Sequence, residues 1–203
     1  MDAWSMVDEH SDIGAEHIGR FAEVFRQVQK VTTGPIVEFG TRSGGSALMW
    51  LLLLREAQDR RPVWTVDPYG KKHYPPGAID HRDYKYGDEH YGTAKQLLAP
   101  YVEHSHFLMT SGDFLRRMHR CPYWDNGTPR EMDQLGFAFL DGDHSGVSVI
   151  EDVLALRRWL QPTGVVLVDN VDWNGPRLNE ILRELGPVFA AGGRYIAIQP
   201  RAL

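Results

Sequence analysis

The chain of 203 residues and 23.1 kDa is 42% hydrophobic and 24% charged, which fits a single globular domain and excludes disordered, collagenous and coiled-coil proteins. Its formal charge of -5 and pI near 6.0 exclude a broad electrostatic hold on a nucleic acid backbone. A lone cysteine (Cys121), an acidic start unlike a secretory signal, and a longest apolar run (Ala47 to Leu54) far short of the ~20 residues of a membrane span predict a cytoplasmic protein without disulfide or membrane anchor.

Apolar residues at helical spacing from Ile13 to Val31 predict a leading helix that ends at a Thr-Thr-Gly-Pro break. Ile36 to Phe39 read as a short buried strand entering a glycine-rich turn, followed by an apolar helix from Ser46 to about Asp59 and a second strand at Val63 to Asp67. Such a unit crosses over right-handed and lies parallel. From Pro68 to His90 the chain is crowded with Tyr, His, Gly, Pro and charge and lacks apolar periodicity, the pattern of a long lid or binding loop. Alternation then resumes with a helix near Tyr91 to Val102, a strand near His106 to Thr110 and a short helix near Phe114 to His119. A polar turn at Asp125-Asn126-Gly127, a strand at Phe137 to Asp141 and a helix at Val147 to Leu160 follow, the helix ending at Gln161-Pro162-Thr163-Gly164. Last come a strand at Val165 to Asp169, a helix at Arg177 to Leu185, and a hairpin of Val188 to Ala191 with Tyr195 to Gln199. This order predicts an α/β fold with an open, doubly wound, mostly parallel sheet and an antiparallel strand from the final hairpin. Ligands of such sheets sit beyond the carboxyl ends of the strands, where strand order reverses.

The first strand runs into Glu38-Phe39-Gly40-Thr41-Arg42-Ser43-Gly44-Gly45-Ser46. A dinucleotide fingerprint needs glycine where Arg42 stands, and a P-loop needs lysine where Ser46 stands, so both polyphosphate cradles fail. An acid, a bare backbone turn and a helix N-terminus remain, which suit a nucleoside without polyphosphate; a tight turn that needs glycine for its backbone angles accounts for the same residues. Asp67, at the end of the second strand, is placed to accept two ribose hydroxyls, and a residue that starts a turn accounts for it equally. Asp113, after Ser111-Gly112, could receive an adenine amino group or cap the helix expected at Phe114. Asp141, Asp169 and Asn170 end two strands that should be adjacent, and three oxygen donors there suit a hard cation such as Mg²⁺. His144 follows Asp141 by three positions, and histidine is the side chain that takes a proton near neutral pH. His73, His81 and His90 are too irregularly spaced for zinc and have no cysteine beside them.

In their order along the chain, the Glu38-x-Gly40 turn, Asp67, Gly112-Asp113, Asp141 and the closing hairpin resemble the class I S-adenosylmethionine-dependent methyltransferases. The segment Asp169-Asn170-Val171-Asp172-Trp173-Asn174-Gly175 is similar to the catechol and caffeoyl-CoA type of metal-dependent O-methyltransferase. Asp141-Gly142-Asp143-His144-Ser145 resembles the group of macrolide-sugar O-methyltransferases and cephalosporin hydroxylase relatives. The resemblance implies a Rossmann-like seven-stranded sheet. It implies that Glu38, Gly40, Thr41 and Ser46 hold the methionine part of S-adenosylmethionine, Asp67 the ribose, and Gly112 and Asp113 the adenine, with Asp141 alongside. It also implies a Mg²⁺ ion on Asp141, Asp169 and Asn170. The catechol type has lysine where His144 stands, whereas the sugar type uses histidine as base. His144 as base, Tyr69 and Trp173 against a hydroxylated small-molecule acceptor, and residues 68–90 as a lid describe the expected enzyme, with a homodimer possible. Two other functions share this scaffold: a non-methylating enzyme of the hydroxylase group and a nucleoside-binding scaffold subunit.

Overall fold

The computed structural model describes residues 2–69, 87–118 and 134–201, and the backbone of 123–125 and 128–130. The elements are α1 (Ala3–His10), α2 (Ala15–Gln29), β1 (Ile36–Phe39), α3 (Gly45–Glu56), β2 (Val63–Val66), α4 (Asp88–Leu98), β3 (His104–Phe107), α5 (Ser111–Arg117), β4 (Tyr123–Asp125), β5 (Thr128–Arg130), β6 (Leu135–Leu140), α6 (Gly146–Leu156), β7 (Leu160–Val168), a 3-10 turn (Val171–Asn174), α7 (Pro176–Leu185), β8 (Val188–Ala191) and β9 (Ile196–Ile198). Most of the expected lid (residues 70–86), with His73 and His81, lies outside the described residues, as do Cys121 and the Asn126-Gly127 turn.

Seven strands form one sheet in the order β3-β2-β1-β6-β7-β9-β8, and β4 and β5 pair separately as a small antiparallel ribbon. β1 lies parallel to β2 and β6, β6 lies parallel to β7, and β9 alone runs against its neighbours β7 and β8. This is the Rossmann-like, mostly parallel sheet expected of the sequence. Strand order reverses between β1 and β6, so the crevice opens beyond Phe39 and Leu140. One face of the sheet is covered by α1, α2, α3 and α4, with Phe25, Trp50, Phe137 and Phe139 meeting at centroid distances of 5.2 to 5.4 Å. The other face is covered by α5, α6 and α7 through Phe114, Val153, Leu156 and Leu182. Burial of these aromatic and branched side chains is the main term holding the layers together.

Several boundaries differ from expectation for identifiable reasons. The expected leading helix is α2, and an unexpected helix precedes it: Asp2 caps α1 through the backbone N–H groups of Trp4 (3.0 Å) and Ser5 (3.1 Å), and Val7 is buried. β3 begins two residues early, at His104, which pairs with Val63. Thr110 ends that connection as the N-cap of α5, its hydroxyl accepting from the Asp113 N–H at 3.1 Å. β7 reaches back to Leu160; the pairs Leu135↔Leu160 and Phe137↔Val165 flank a bulge that absorbs the expected Gln-Pro-Thr-Gly turn.

Candidate active site

The turn after β1 is shaped by exclusion. Gly40 has φ +92°, and a Cβ there would stand 2.2 Å from the carbonyl oxygen of Asp141, so no side chain fits. Asp67 pins this turn: Oδ2 accepts the N–H groups of Thr41 (3.0 Å) and Arg42 (3.1 Å), and Oδ1 accepts that of Tyr69 (3.0 Å). The acid expected at the ribose therefore has both oxygens on backbone, and burial raises its carboxyl above the ordinary range against these bonds. Tyr69 corrects the expectation of an acceptor contact. It is 5% exposed, its hydroxyl donates to the Arg42 carbonyl, and its ring lies 5.3 Å from both Tyr91 and His106, so it supports the turn from below. Ser43 Oγ meets His90 Nδ1 at 2.7 Å and Arg42 pairs with Asp12, which ties α4 and the α1–α2 corner to the same turn.

Glu38 lies wholly inside, two residues before Gly40. Its Oε2 accepts the Trp50 indole N–H at 2.7 Å, its Oε1 has no partner among the described residues, and burial pushes its carboxyl up to about 8. Thr41 Oγ1 is likewise buried without a hydrogen bond of ordinary length, with the Tyr69 hydroxyl as its side-chain neighbour, and Ser46, buried in the first turn of α3, neighbours Glu38. Buried polar atoms are almost always paired in folded proteins, so orphans grouped at a strand end mark a place where a ligand's donors belong. Gly112 and Asp113 sit in the first turn of α5, where Asp113 accepts from Arg116 (2.8 Å) and Thr110 (3.1 Å); the helix cap is Thr110, three residues before the expected one.

Beyond β6 and β7 a second group gathers. Asp141 directly follows β6, and burial, with the carboxylates of Asp169 and Glu38, raises its carboxyl well above the usual range while Arg194 and Arg42 oppose the rise. Asn170, in the left-handed region at φ 54°, points its amide nitrogen at Asp141 Oδ1 (3.4 Å) and His144 Nε2 (3.3 Å); its Oδ1 is buried and unpartnered. His144 Nε2 lies 3.8 Å from Asp141 Oδ1. Asn174 Nδ2 donates to the His144 carbonyl at 2.5 Å, and Asp143 and Ser145 cap α6, so the loop carrying His144 is held from both ends. Trp173 is 67% exposed with its ring 4.8 Å from that of His144, which makes it a rim residue and not part of the core.

Asp169 departs from the expected ligand set. Its side chain is fully buried and both oxygens are taken by Arg194, Nε to Oδ1 at 2.8 Å and Nη2 to Oδ2 at 2.6 Å. Arg194, from the β8–β9 hairpin, was not expected at the site. Among the described residues no three His, Cys, Asp or Glu side chains are arranged to hold a metal ion. A cavity of about 250 Å³ lies elsewhere, at the sheet edge between α4 and β3, lined by Leu98, Tyr101, His104 and His106. Both histidines are bonded to Thr65 Oγ1, at 2.9 and 2.6 Å, and burial holds both down to about 4.

The strand order, the turn under Glu38 and the Asp141–His144–Asn170 group define a class I methyltransferase fold. Residues 37–171 match the family model described as a methyltransferase domain, and the chain belongs to that family of S-adenosylmethionine-dependent enzymes. No curated protein matches the sequence. Among solved structures it is similar to NovP, described as an O-methyltransferase, at 17% identity and TM-score 0.65, with 96% of this chain and 83% of that one covered. It is similar to TomG of Streptomyces achromogenes, an O-methyltransferase solved with S-adenosylmethionine, at 15% identity and TM-score 0.64, covering 99% and 91%. A Klebsiella pneumoniae protein described as a putative O-methyltransferase gives 15% identity and TM-score 0.65, covering 100% and 91%. At such identities the likeness is one of fold. No described helix is long and apolar enough to cross a membrane.

Proposed function

We propose that the chain transfers a methyl group from S-adenosylmethionine to a hydroxyl of a small molecule, with His144 as the proton acceptor. The observation that carries this reading is the set of buried, unpartnered oxygens on Glu38, Thr41 and Asn170, gathered at the carboxyl ends of β1 and β7, with Asn170 beside His144. S-adenosylmethionine, when bound, supplies a sulfonium methyl group whose transfer discharges the cation. Glu38, Thr41 and the Gly40 turn are the groups that would hold its methionine part. The turn is rigid before any ligand arrives, which reduces what binding must order.

The remaining task is to generate an oxygen nucleophile. His144 Nε2 lies 3.3 Å from the Asn170 amide nitrogen and 3.8 Å from Asp141 Oδ1, and a hydroxyl that takes the amide's place at Nε2 gives its proton there. Asp141 at 3.8 Å then faces the imidazolium across the gap. Trp173, exposed at the rim, offers a flat apolar wall to an aromatic ring or a sugar face. A Mg²⁺ ion does not fit these donors as they are disposed. Asp169, one of the three expected oxygen donors, is engaged at both oxygens by Arg194, which leaves Asp141 and Asn170 short of the expected set.

The test is calorimetry with S-adenosylmethionine followed by a mass-shift screen over phenols, sugars and aliphatic alcohols. Binding and a +CH₂ product on oxygen support the reading. Binding without methylated product across the screen favours a nucleoside-binding scaffold or a non-methylating enzyme, and absence of binding removes the reading altogether.

A further inference from the structure

The hairpin between β8 and β9 delivers a cation to the buried end of β7. β9 pairs antiparallel with β7, Val168 opposite Ile196, and continuing that register sets Arg194 beside Asp169 and Asn170. The placement is rigid. The Arg194 carbonyl accepts the Val171 N–H at 2.9 Å, the Gly192 N–H bonds the Tyr195 carbonyl at 2.9 Å, and the Tyr195 ring packs 5.2 Å from Phe21 in the core. A Cβ at Gly192 would stand 2.5 Å from that ring, so the hairpin closes tightly over it. From this mount the guanidinium grips Asp169 as a planar fork, the geometry in which an arginine and carboxylate pair most strongly.

We infer that Arg194 is the resident cation of the acceptor site: by gripping both oxygens of Asp169 it fills the role of a divalent ion, so the acceptor needs one hydroxyl and no second chelating oxygen. A divalent ion could recruit Asp169 only by stripping a buried carboxylate of its arginine, and breaking one half of such a pair is strongly unfavourable. It would also sit against a fixed positive charge. With the arginine in place the carboxylates of Asp141 and Asp169 are partly neutralised without metal. Arg194 acts through Asp169 and is a positioning residue. The inference rests on the methyltransferase reading of the site for its consequence to the acceptor; its charge arrangement stands on the geometry.

Mn²⁺, a spectroscopic substitute for Mg²⁺, is the probe. Chelator-treated wild-type protein is titrated with Mn²⁺ and the free ion is read by electron paramagnetic resonance, with S-adenosylmethionine binding followed separately in the same samples. Wild type should take up no Mn²⁺ in the micromolar range. Arg194→Met, which frees Asp169 to join Asp141 and Asn170, should gain a site with affinity raised roughly tenfold or more. A metal-binding gain is a change that simple destabilisation does not produce. One tight Mn²⁺ per wild-type chain overturns the inference, as does a folded Arg194→Met protein that gains no site; if the variant does not fold, the wild-type titration decides alone. Loss of S-adenosylmethionine binding would instead strike at the methyltransferase reading and leave the metal result standing. Once an acceptor is found, EDTA should leave its rate unchanged, and a rate abolished by EDTA and restored by Mg²⁺ overturns the inference.

Discussion

The two halves of the crevice are built differently. Around β1 and β2 almost every polar group serves the protein itself: Asp67 takes three backbone N–H groups, Tyr69 reaches Arg42, and Ser43 meets His90. Around β6 and β7 the contacts are long, 3.3 to 3.8 Å among Asp141, Asn170 and His144, apart from the tight Arg194–Asp169 fork. One half is a preformed socket that fixes geometry; the other keeps its reactive groups near each other without spending them on one another. Catalytic contacts often tighten only when substrate is present, so loose spacing beside a rigid frame is what an acceptor side should show.

The largest expected effect breaks the loose half alone. His144→Ala should reduce turnover about 10²- to 10⁴-fold, the usual contribution of a positioned base, while S-adenosylmethionine affinity measured by calorimetry stays within about threefold. A parallel loss of cofactor affinity would mean that the halves are not independent. Next, Gly40→Ala should break the socket: a left-handed φ and a backbone contact at 2.2 Å predict destabilisation of roughly 2 to 4 kcal/mol, read from the denaturation midpoint.

A third prediction sharpens the comparison through pH. Glu38 titrates near 8 when folded against an ordinary 4.5, so it binds its proton more tightly in the native state. Its contribution to stability is therefore fully present below pH 4.5 and is lost as pH rises through 8, at up to about 1.4 kcal/mol per pH unit within that window. Glu38→Gln should flatten this slope in urea denaturation across pH 5 to 8 (about the span in which the carboxyl changes state). The same carboxyl should lose its proton when a cationic amino group arrives, so binding heats for S-adenosylmethionine near neutral pH should vary with the ionisation enthalpy of the buffer. The smallest effect belongs to Trp173→Ala: because the ring is 67% exposed, stability should move by less than about 0.5 kcal/mol while acceptor KM rises several-fold.

The alternation of strands and helices was legible because fully buried parallel strands such as Ile36–Phe39 and Phe137–Leu140 leave continuous apolar runs. The residues at their ends were legible too, since topology alone brings Glu38, Asp141 and Asn170 to one crevice. α1 was hidden because Asp8, Glu9 and His10 look like a solvated tail and only Val7 is buried. The engagement of Asp67 by backbone was hidden because a carboxylate at a strand end reads alike whether it faces a ribose or a turn. Arg194 was hidden because Gly-Gly-Arg-Tyr reads as a solvent-exposed hairpin tip and its partner lies 25 residues away. The signal that could have found it is the antiparallel register of the last strand, which carries position 194 alongside 169 and 170.

The corner between α1 and α2 has a reach beyond its own packing. A Cβ at Gly45 would lie 2.5 Å from the Ser11 nitrogen, and Asp12 pairs with Arg42, so residues near the amino end form part of the bracket that holds the cofactor turn in shape. Trimming that stretch, or burdening it with a bulky fusion, would be felt at the nucleoside pocket before it was felt in the melting curve, as a donor that binds weakly to an otherwise sound fold.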